Sequence, residues 1–305
     1  MIPPNRLRTL WTSIGWKWKL YLIGVGIFGY QFVGHYLVPR FMYLGWAVGD
    51  GAPERTLEGL HKDWVPHEAG RTEFWYLLGN GVSAREPGPA VLFAHGNREL
   101  IDAKAVDLIP YQRAGISVFL CEYRGYGRST GQPGEAALVA DFERVLHFAR
   151  SLPEVDGSRL IFHGRSLGGA VVAALASFQE PKALILESTF VDAASASRFS
   201  LMWPMMIPDR WRSLERLDGY PGATLILHGK RDLVVSPNSA STFHRRIPGS
   251  RLLWFDGGGH RLQAHAEDDY WNPIRAFLSE LGCWETDHTA AGHEKAGRIV
   301  DPPGP

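Results

Sequence analysis

The apolar run Leu160-Ile161-Phe162 meets His163-Gly164-Arg165-Ser166-Leu167-Gly168-Gly169, and a stretch of small and apolar residues follows from Ala170 to Ala176. This order predicts a strand, a sharp turn and a helix, with Ser166 at the apex. Glycine two residues to either side of the serine lets strand and helix approach closely, and the turn pushes the Ser166 hydroxyl out of the sheet. Because the serine opens a helix, free N–H groups and the helix dipole also offer a place for negative charge. The stretch therefore predicts a nucleophile rather than a plain turn.

Strand and helix patterns alternate around it. Apolar strands are expected at 90–94, 116–121, 159–162, 183–186, 225–227 and 252–255, with helices over 100–113, 138–149, 238–246 and 268–281 between them. Two β-type stretches, 64–68 and 72–78, flank Ala69-Gly70-Arg71 and predict a hairpin. The result is an α/β fold: a mostly parallel sheet, helices on both faces and an antiparallel pair at one edge. With 305 residues and 45% hydrophobic content, the chain has enough apolar material for one large domain, placed at 61–283. Formal net charge is zero, which leaves no basic footprint for nucleic acid. Cys121 and Cys283 form neither a disulfide framework nor a zinc pattern, and Cys121 reads as a small buried residue in a central strand. No His-Glu-x-x-His pattern occurs, so neither a metal nor a cofactor is expected.

Residues 1–49 carry five basic residues, Arg6, Arg8, Lys17, Lys19 and Arg40, and no acidic one. Between Lys19 and Arg40 the uncharged stretch 20–39 would span about 30 Å as a helix, the thickness of a bilayer core. It is read as a single-pass anchor behind a basic tail, 1–19; a signal peptide and an interfacial helix are the alternatives. The basic residues ahead of it place the N-terminus in the cytoplasm and the catalytic domain on the extracytoplasmic side. Residues 40–60, with several glycines and Pro53, read as a linker, and the polar stretch 284–305 as disordered.

A serine hydroxyl needs a base in hydrogen-bond reach and a carboxylate to orient that base. His260 ends Gly257-Gly258-Gly259-His260 just past the last expected strand, and Asp232 follows Leu227-His228-Gly229-Lys230-Arg231 past another. Glu187 and Asp192 are alternative carboxylates; Asp256 is expected to turn its loop. His95 and His228, each before a glycine at a strand end, are expected to line or support the site. The amides of Leu167, directly after the nucleophile, and Asn97, in His95-Gly96-Asn97, are the expected oxyanion donors. Arg124 and Arg128, within Tyr123–Gly131, are read as making structural hydrogen bonds in a tight loop. From about 190 to 221 the alternation breaks. This stretch, 190–221, is read as a lid; its part Ser200–Pro208 is apolar and Met-rich, and Met202, Trp203 and Met206 are expected to contact an acyl group.

Together, His95-Gly96-Asn97, Tyr123–Gly131, Gly164–Gly169, Glu187-Ser188-Thr189-Phe190, His228-Gly229-x-x-Asp232 and Gly259-His260 resemble the α/β-hydrolase-domain family of small serine hydrolases. The likeness is to its membrane-associated branch of depalmitoylases and lysophospholipases. The resemblance implies Ser166 as nucleophile, Asp232 and His260 as its triad partners, and Asn97 and Leu167 as oxyanion amides. Arg98-Glu99 departs from the smaller residues often found there and changes the expected pocket shape. The expected function is hydrolysis of esters or thioesters of lipid-like or acyl-chain substrates, in lipid metabolism. A peptidase or amidase and a non-catalytic binding protein of the same fold are the alternatives.

Overall fold

The structure, a computed structural model, describes residues 15–33, 38–49, 56–195, 207–264, 267–284 and 299–300. The central sheet has eight strands: β1 (His61–His67), β2 (Gly70–Leu77), β3 (Gly88–Ala94), β4 (Ser117–Cys121), β5 (Val155–Arg165), β6 (Ala183–Glu187), β7 (Thr224–Gly229) and β8 (Arg251–Phe255). Their spatial order is β1-β2-β4-β3-β5-β6-β7-β8. The β1–β2 and β2–β4 pairs are antiparallel and all others parallel, as the alternation predicts. The β1–β2 hairpin closes with His67 opposite Gly70, whose φ of 128° suits glycine. A separate two-residue antiparallel ladder joins Thr56–Leu57 to Ile299–Val300.

The α-helices among the described residues are α1 (Trp16–Phe32), α2 (Val38–Met42), α3 (Ile101–Asp107), α4 (Ile109–Arg113), α5 (Glu135–Ser151), α6 (Leu167–Ala176), α7 (Ser213–Leu217), α8 (Asn238–Arg246) and α9 (Glu267–Glu280). Each buried strand feeds two cores, because successive side chains point to opposite faces. In β3, Ala90, Leu92 and Ala94 join Phe142 of α5, Val171 of α6 and Phe243 of α8, whereas Val91 and Phe93 join Ile101 of α3, Tyr111 of α4 and Ile274 of α9. Cys121 is fully buried in β4.

The helix expected over 100–113 is two helices, divided at Leu108 (φ −100°, ψ 5°). Pro110 accounts for the break: it has no N–H to donate to the preceding turn, and its ring crowds the helix there.

The N-terminal expectation is corrected in two respects. Among the described residues the stretch 20–39 holds parts of two helices, α1 and α2, and no helix among the described residues is long and apolar enough to cross a membrane. Instead α1 starts earlier and runs for 17 residues, with none of its side chains buried. Gly24, Gly26, Gly29 and Gln31 dilute its hydrophobicity. Val38, at the far end of the expected span, lies in α2 and is 2% exposed, packed into the domain core. Nor does the described start of the expected linker behave as one, since Met42 and Tyr43 belong to the same core. The expected lid residues Met202, Trp203 and Met206, and all of the expected disordered tail except Trp284, Ile299 and Val300, lie outside the described residues. Trp284 itself is buried in the core between the sheet and α9.

Candidate active site

Ser166 sits between β5 and α6 with φ 53° and ψ −115°. A residue with a side chain reaches this region at a cost of about 1–3 kcal/mol, so its surroundings must hold it there. The Ser166 N–H donates to the Glu187 carbonyl at 2.8 Å, and the Thr189 hydroxyl donates to the Ser166 carbonyl at 2.7 Å. The flanking glycines are dictated by space. A Cβ on Gly164 would lie 2.5 Å from the Gly168 carbonyl carbon. One on Gly168 would lie 2.7 Å from the His95 carbonyl oxygen and closer still to the Ala94 carbonyl. The elbow is thereby pressed against the end of β3, which brings the start of α6 beside the His95–Asn97 loop.

The base arrives from the loop after β8. His260 Nε2 is 3.0 Å from Ser166 Oγ, and His260 Nδ1 is 2.8 Å from Asp232 Oδ2. A carboxylate only accepts, so Nδ1 carries the hydrogen and Nε2 faces the serine hydroxyl as an acceptor. Asp232 lies past β7 and is saturated. Its Oδ1 accepts the N–H groups of Val234 at 2.8 Å and Val235 at 2.9 Å, while Oδ2 faces His260 and, at 3.3 Å, Nε2 of His228. Burial alone would raise the Asp232 carboxyl. The hydrogen bonds from His228 and His260, the charge of His260 and the Val235 N–H outweigh burial and hold it well below the usual carboxylate range. The alternative carboxylates are engaged elsewhere: Glu187 accepts from the Tyr270 hydroxyl and Asp192 pairs with Arg210, while Asp256 pairs with Lys230.

The N–H groups of Asn97 and Leu167 donate to no backbone or side-chain acceptor among the described residues. Leu167 is the first residue of α6, where no helical acceptor is in reach. Next to Asn97, His95 places Nδ1 2.9 Å from the Gly96 carbonyl and Nε2 2.8 Å from Glu122 Oε1. Both partners are acceptors, so the geometry suits the doubly protonated ring. Burial opposes that charge, but Glu122 overcomes it and the histidine's pKa is raised.

Beneath the loop lies a buried network that the sequence reading missed. Glu99 accepts the Gly96 N–H at 2.7 Å, pairs with Arg165 Nη1, and lies 3.2 Å from Lys104 Nζ. Burial pushes the Glu99 carboxyl up, but Arg165, Lys104 and the Gly96 N–H pull it down to about 2. The only sequence signal was the departure of Arg98-Glu99 from smaller residues, which suggested a changed pocket rather than a staple. Arg124 and Arg128 make the structural bonds expected of them, to Asp141 and to Glu73 and Asp102. Among the described residues no cluster of three or more His, Cys, Asp or Glu is arranged to hold a metal.

Comparison with known proteins places this geometry in context. Residues 85–216 match the family described as "Serine aminopeptidase, S33". The chain is 34% identical over 205 residues to an uncharacterized protein of Mycobacterium tuberculosis, covering 63% of this chain and 70% of that one. It is 29% identical to alpha/beta hydrolase domain-containing protein 17C of Xenopus tropicalis, covering 68% of each. An uncharacterized membrane protein of Saccharomyces cerevisiae is 32% identical over 56% of this chain and 64% of its own. The fold also matches that of Est1E from Butyrivibrio proteoclasticus, solved with ferulic acid, at a TM-score of 0.62 and 17% identity over 72% of this chain and 98% of that one. Sequence and fold thus agree: the chain belongs to the α/β-hydrolase family and has its fold.

Proposed function

We propose that this hydrolase cleaves carboxylic esters or thioesters of acyl-chain substrates through an acyl-enzyme. The observation that carries the reading is the continuous relay from Asp232 through His260 to Ser166, at 2.8 and 3.0 Å. His260 Nε2 takes the Ser166 proton as Oγ attacks the acyl carbon. The oxyanion is held by the Asn97 and Leu167 N–H groups, and losing one such donor typically costs about 3–4 kcal/mol of transition-state stabilisation. His260 then protonates the departing alkoxide or thiolate, leaving the acyl group on Oγ. Water, deprotonated by the same nitrogen, releases the acid. The imidazole is 18% exposed, so the relay ends at a surface that substrate and water can reach.

A lipid-like substrate is supported by α1, whose exposed apolar side chains include Leu20, Ile23, Ile27 and Phe28. In this reading α1 inserts into a bilayer. It lies in one leaflet with its apolar side chains among the acyl chains and Lys17 and Lys19 at the headgroups, on the same side as the domain. Amide cleavage is the second reading, favoured by the aminopeptidase description of the matching family.

The test is fluorophosphonate labelling of the full chain beside a panel of p-nitrophenyl esters of increasing acyl length, lysophospholipids, acyl thioesters and aminoacyl amides. Labelling that disappears in Ser166→Ala, with turnover rising with acyl length, supports the proposal. Labelling without ester or thioester turnover rejects the acyl-chain substrate, amide turnover selects the second reading, and no labelling rejects the mechanism.

A further inference from the structure

We propose that the segment Met42–Gly45, which precedes the hydrolase domain in the chain, is a working part of its oxyanion hole: it positions Asn97. The inference rests on the hydrolase reading of the site.

The Asn97 side chain is 7% exposed, and three groups converge on it. Its Nδ2 donates to the Met42 carbonyl at 2.6 Å, while Oδ1 accepts the Leu44 N–H at 2.9 Å and the Tyr126 hydroxyl at 2.6 Å. Two of the three partners are main-chain groups of the strap. Met42 and Tyr43 are themselves 3% and 2% exposed, so the strap is seated in the core. It is also tied at a second place: the Tyr43 hydroxyl donates to Asp209 Oδ2 at 2.7 Å and accepts the Trp211 indole N–H at 3.0 Å. These residues lie in the later part of the expected lid, 190–221, just past its Met-rich stretch. The strap therefore bridges the loop that carries an oxyanion donor and the root of the segment predicted to cover the acyl site.

An asparagine gripped at both ends of its amide ties its Cα, and so the 95–97 loop that carries its main-chain N–H, to the strap. Without the strap, the side chain would keep one partner of three, and the 95–97 loop would turn to satisfy the rest. The consequence falls on transition-state stabilisation, since the affected N–H is needed when the oxyanion forms.

The experiment displaces the strap without touching Asn97. A Cβ at Gly45 would lie 2.6 Å from the Gly125 carbonyl oxygen and 2.7 Å from Tyr126 Cδ2, so Gly45→Ala must push the segment outward. Tyr126→Phe removes one donor and keeps the ring. Full-length wild type, both variants and Leu146→Ala, a core truncation on α5, are compared for kcat and KM on p-nitrophenyl butyrate, fluorophosphonate labelling and Tm. Gly45→Ala is expected to lower kcat about 100-fold with KM little changed, the scale for a reacting group displaced by about 1 Å. Tyr126→Phe gives a smaller loss in the same direction, and Leu146→Ala lowers Tm without lowering kcat. Wild-type kcat in Gly45→Ala and in Tyr126→Phe overturns the strap's role while leaving the hydrolase reading intact. A wild type that neither labels nor turns over ester overturns both.

Discussion

Arg165 Nη2 donates to the main-chain carbonyl of His260 at 3.3 Å, so the residue beside the nucleophile in the chain holds the loop that carries the base. The same guanidinium pairs with Glu99 through Nη1 and lies 3.4 Å from Glu187 Oε1 through Nε. Glu99 in turn accepts the Gly96 N–H, one residue before Asn97. One buried cation thus links the base loop, the oxyanion loop and the end of β6. A lysine keeps the charge but loses the planar fork that reaches three partners in different directions. Arg165→Lys is expected to lower kcat about tenfold, roughly 1.4 kcal/mol of barrier, with a lower Tm. Steady-state ester kinetics beside a thermal melt check it; unchanged kcat would make Arg165 a purely structural residue.

The Glu99 carboxyl gives the fold a component of acid sensitivity. Its pKa is about 2 in the folded chain against an ordinary 4.5. A carboxyl depressed on folding contributes stability that is fully present above its unfolded value and is lost as pH falls through the folded value, here between about 4.5 and 2. Glu99→Gln removes this contribution but leaves Arg165 and Lys104 without their shared anion. The variant should be less stable at neutral pH by about 3–5 kcal/mol, and the gap should narrow as pH falls toward 3. Urea denaturation at several pH values measures both features; a gap that widens on acidification contradicts the assignment.

Asp232→Asn tests orientation of the base with little change in shape. The two N–H groups of Val234 and Val235 require an acceptor at Oδ1, so the amide nitrogen of the variant must face His260. It would donate to Nδ1, forcing the hydrogen onto Nε2, where Ser166 needs an acceptor. In well-studied serine hydrolases this exchange lowers kcat by about 10⁴-fold, and a comparable loss is expected here. Fluorophosphonate labelling should slow in parallel. A variant with near wild-type turnover would mean that His260 is oriented by something other than Asp232.

The elbow was legible because its requirements are local: only glycine fits at 164 and 168, and both fall within two residues of Ser166. Asp232 and His260 were legible because strand ends announce themselves through apolar runs closed by glycine. Main-chain positions at Asn97 and Leu167 could be expected from the same logic. What Asn97 does with its side chain could not, because its partners at 42 and 44 lie more than fifty residues away. The strap itself was masked by composition. Gly45, Gly49 and Gly51 read as a linker, yet Gly45 is glycine because Gly125 and Tyr126 leave no room for a side chain. Arg165 and Glu99 were not legible as partners: they lie far apart in the chain, the departure at Arg98-Glu99 pointed only to pocket shape, and burial revealed their pairing. The division of the 100–113 helix at Leu108 turned on one proline whose effect depends on where the helix starts.

From Leu20 to Tyr30 helix α1 carries no charged residue, with Leu20, Ile23, Ile27 and Phe28 between 47% and 72% exposed and no side chain of the helix buried. Such a surface on an otherwise solvated chain calls for a nonaqueous partner. At 17 residues the helix is about 25 Å long, short of the 30 Å core but long enough to insert deeply. The full chain should therefore float with vesicles of phosphatidylcholine and phosphatidylserine. Lys17 and Lys19 lie at the N-terminal end of α1 and no acidic residue occurs before Asp50, so anionic lipid should strengthen the association. An acidic residue near the middle of an inserted helix costs about 2.5–3.5 kcal/mol, and Ile23→Asp combined with Ile27→Asp should release the protein from vesicles. Both side chains are exposed and belong to neither core cluster, so esterase activity on a soluble short-chain substrate should persist in the released protein. Flotation of the double variant equal to wild type would show that α1 is not the membrane contact, whereas loss of soluble activity on release would mean that lipid shapes the active site as well as anchoring it.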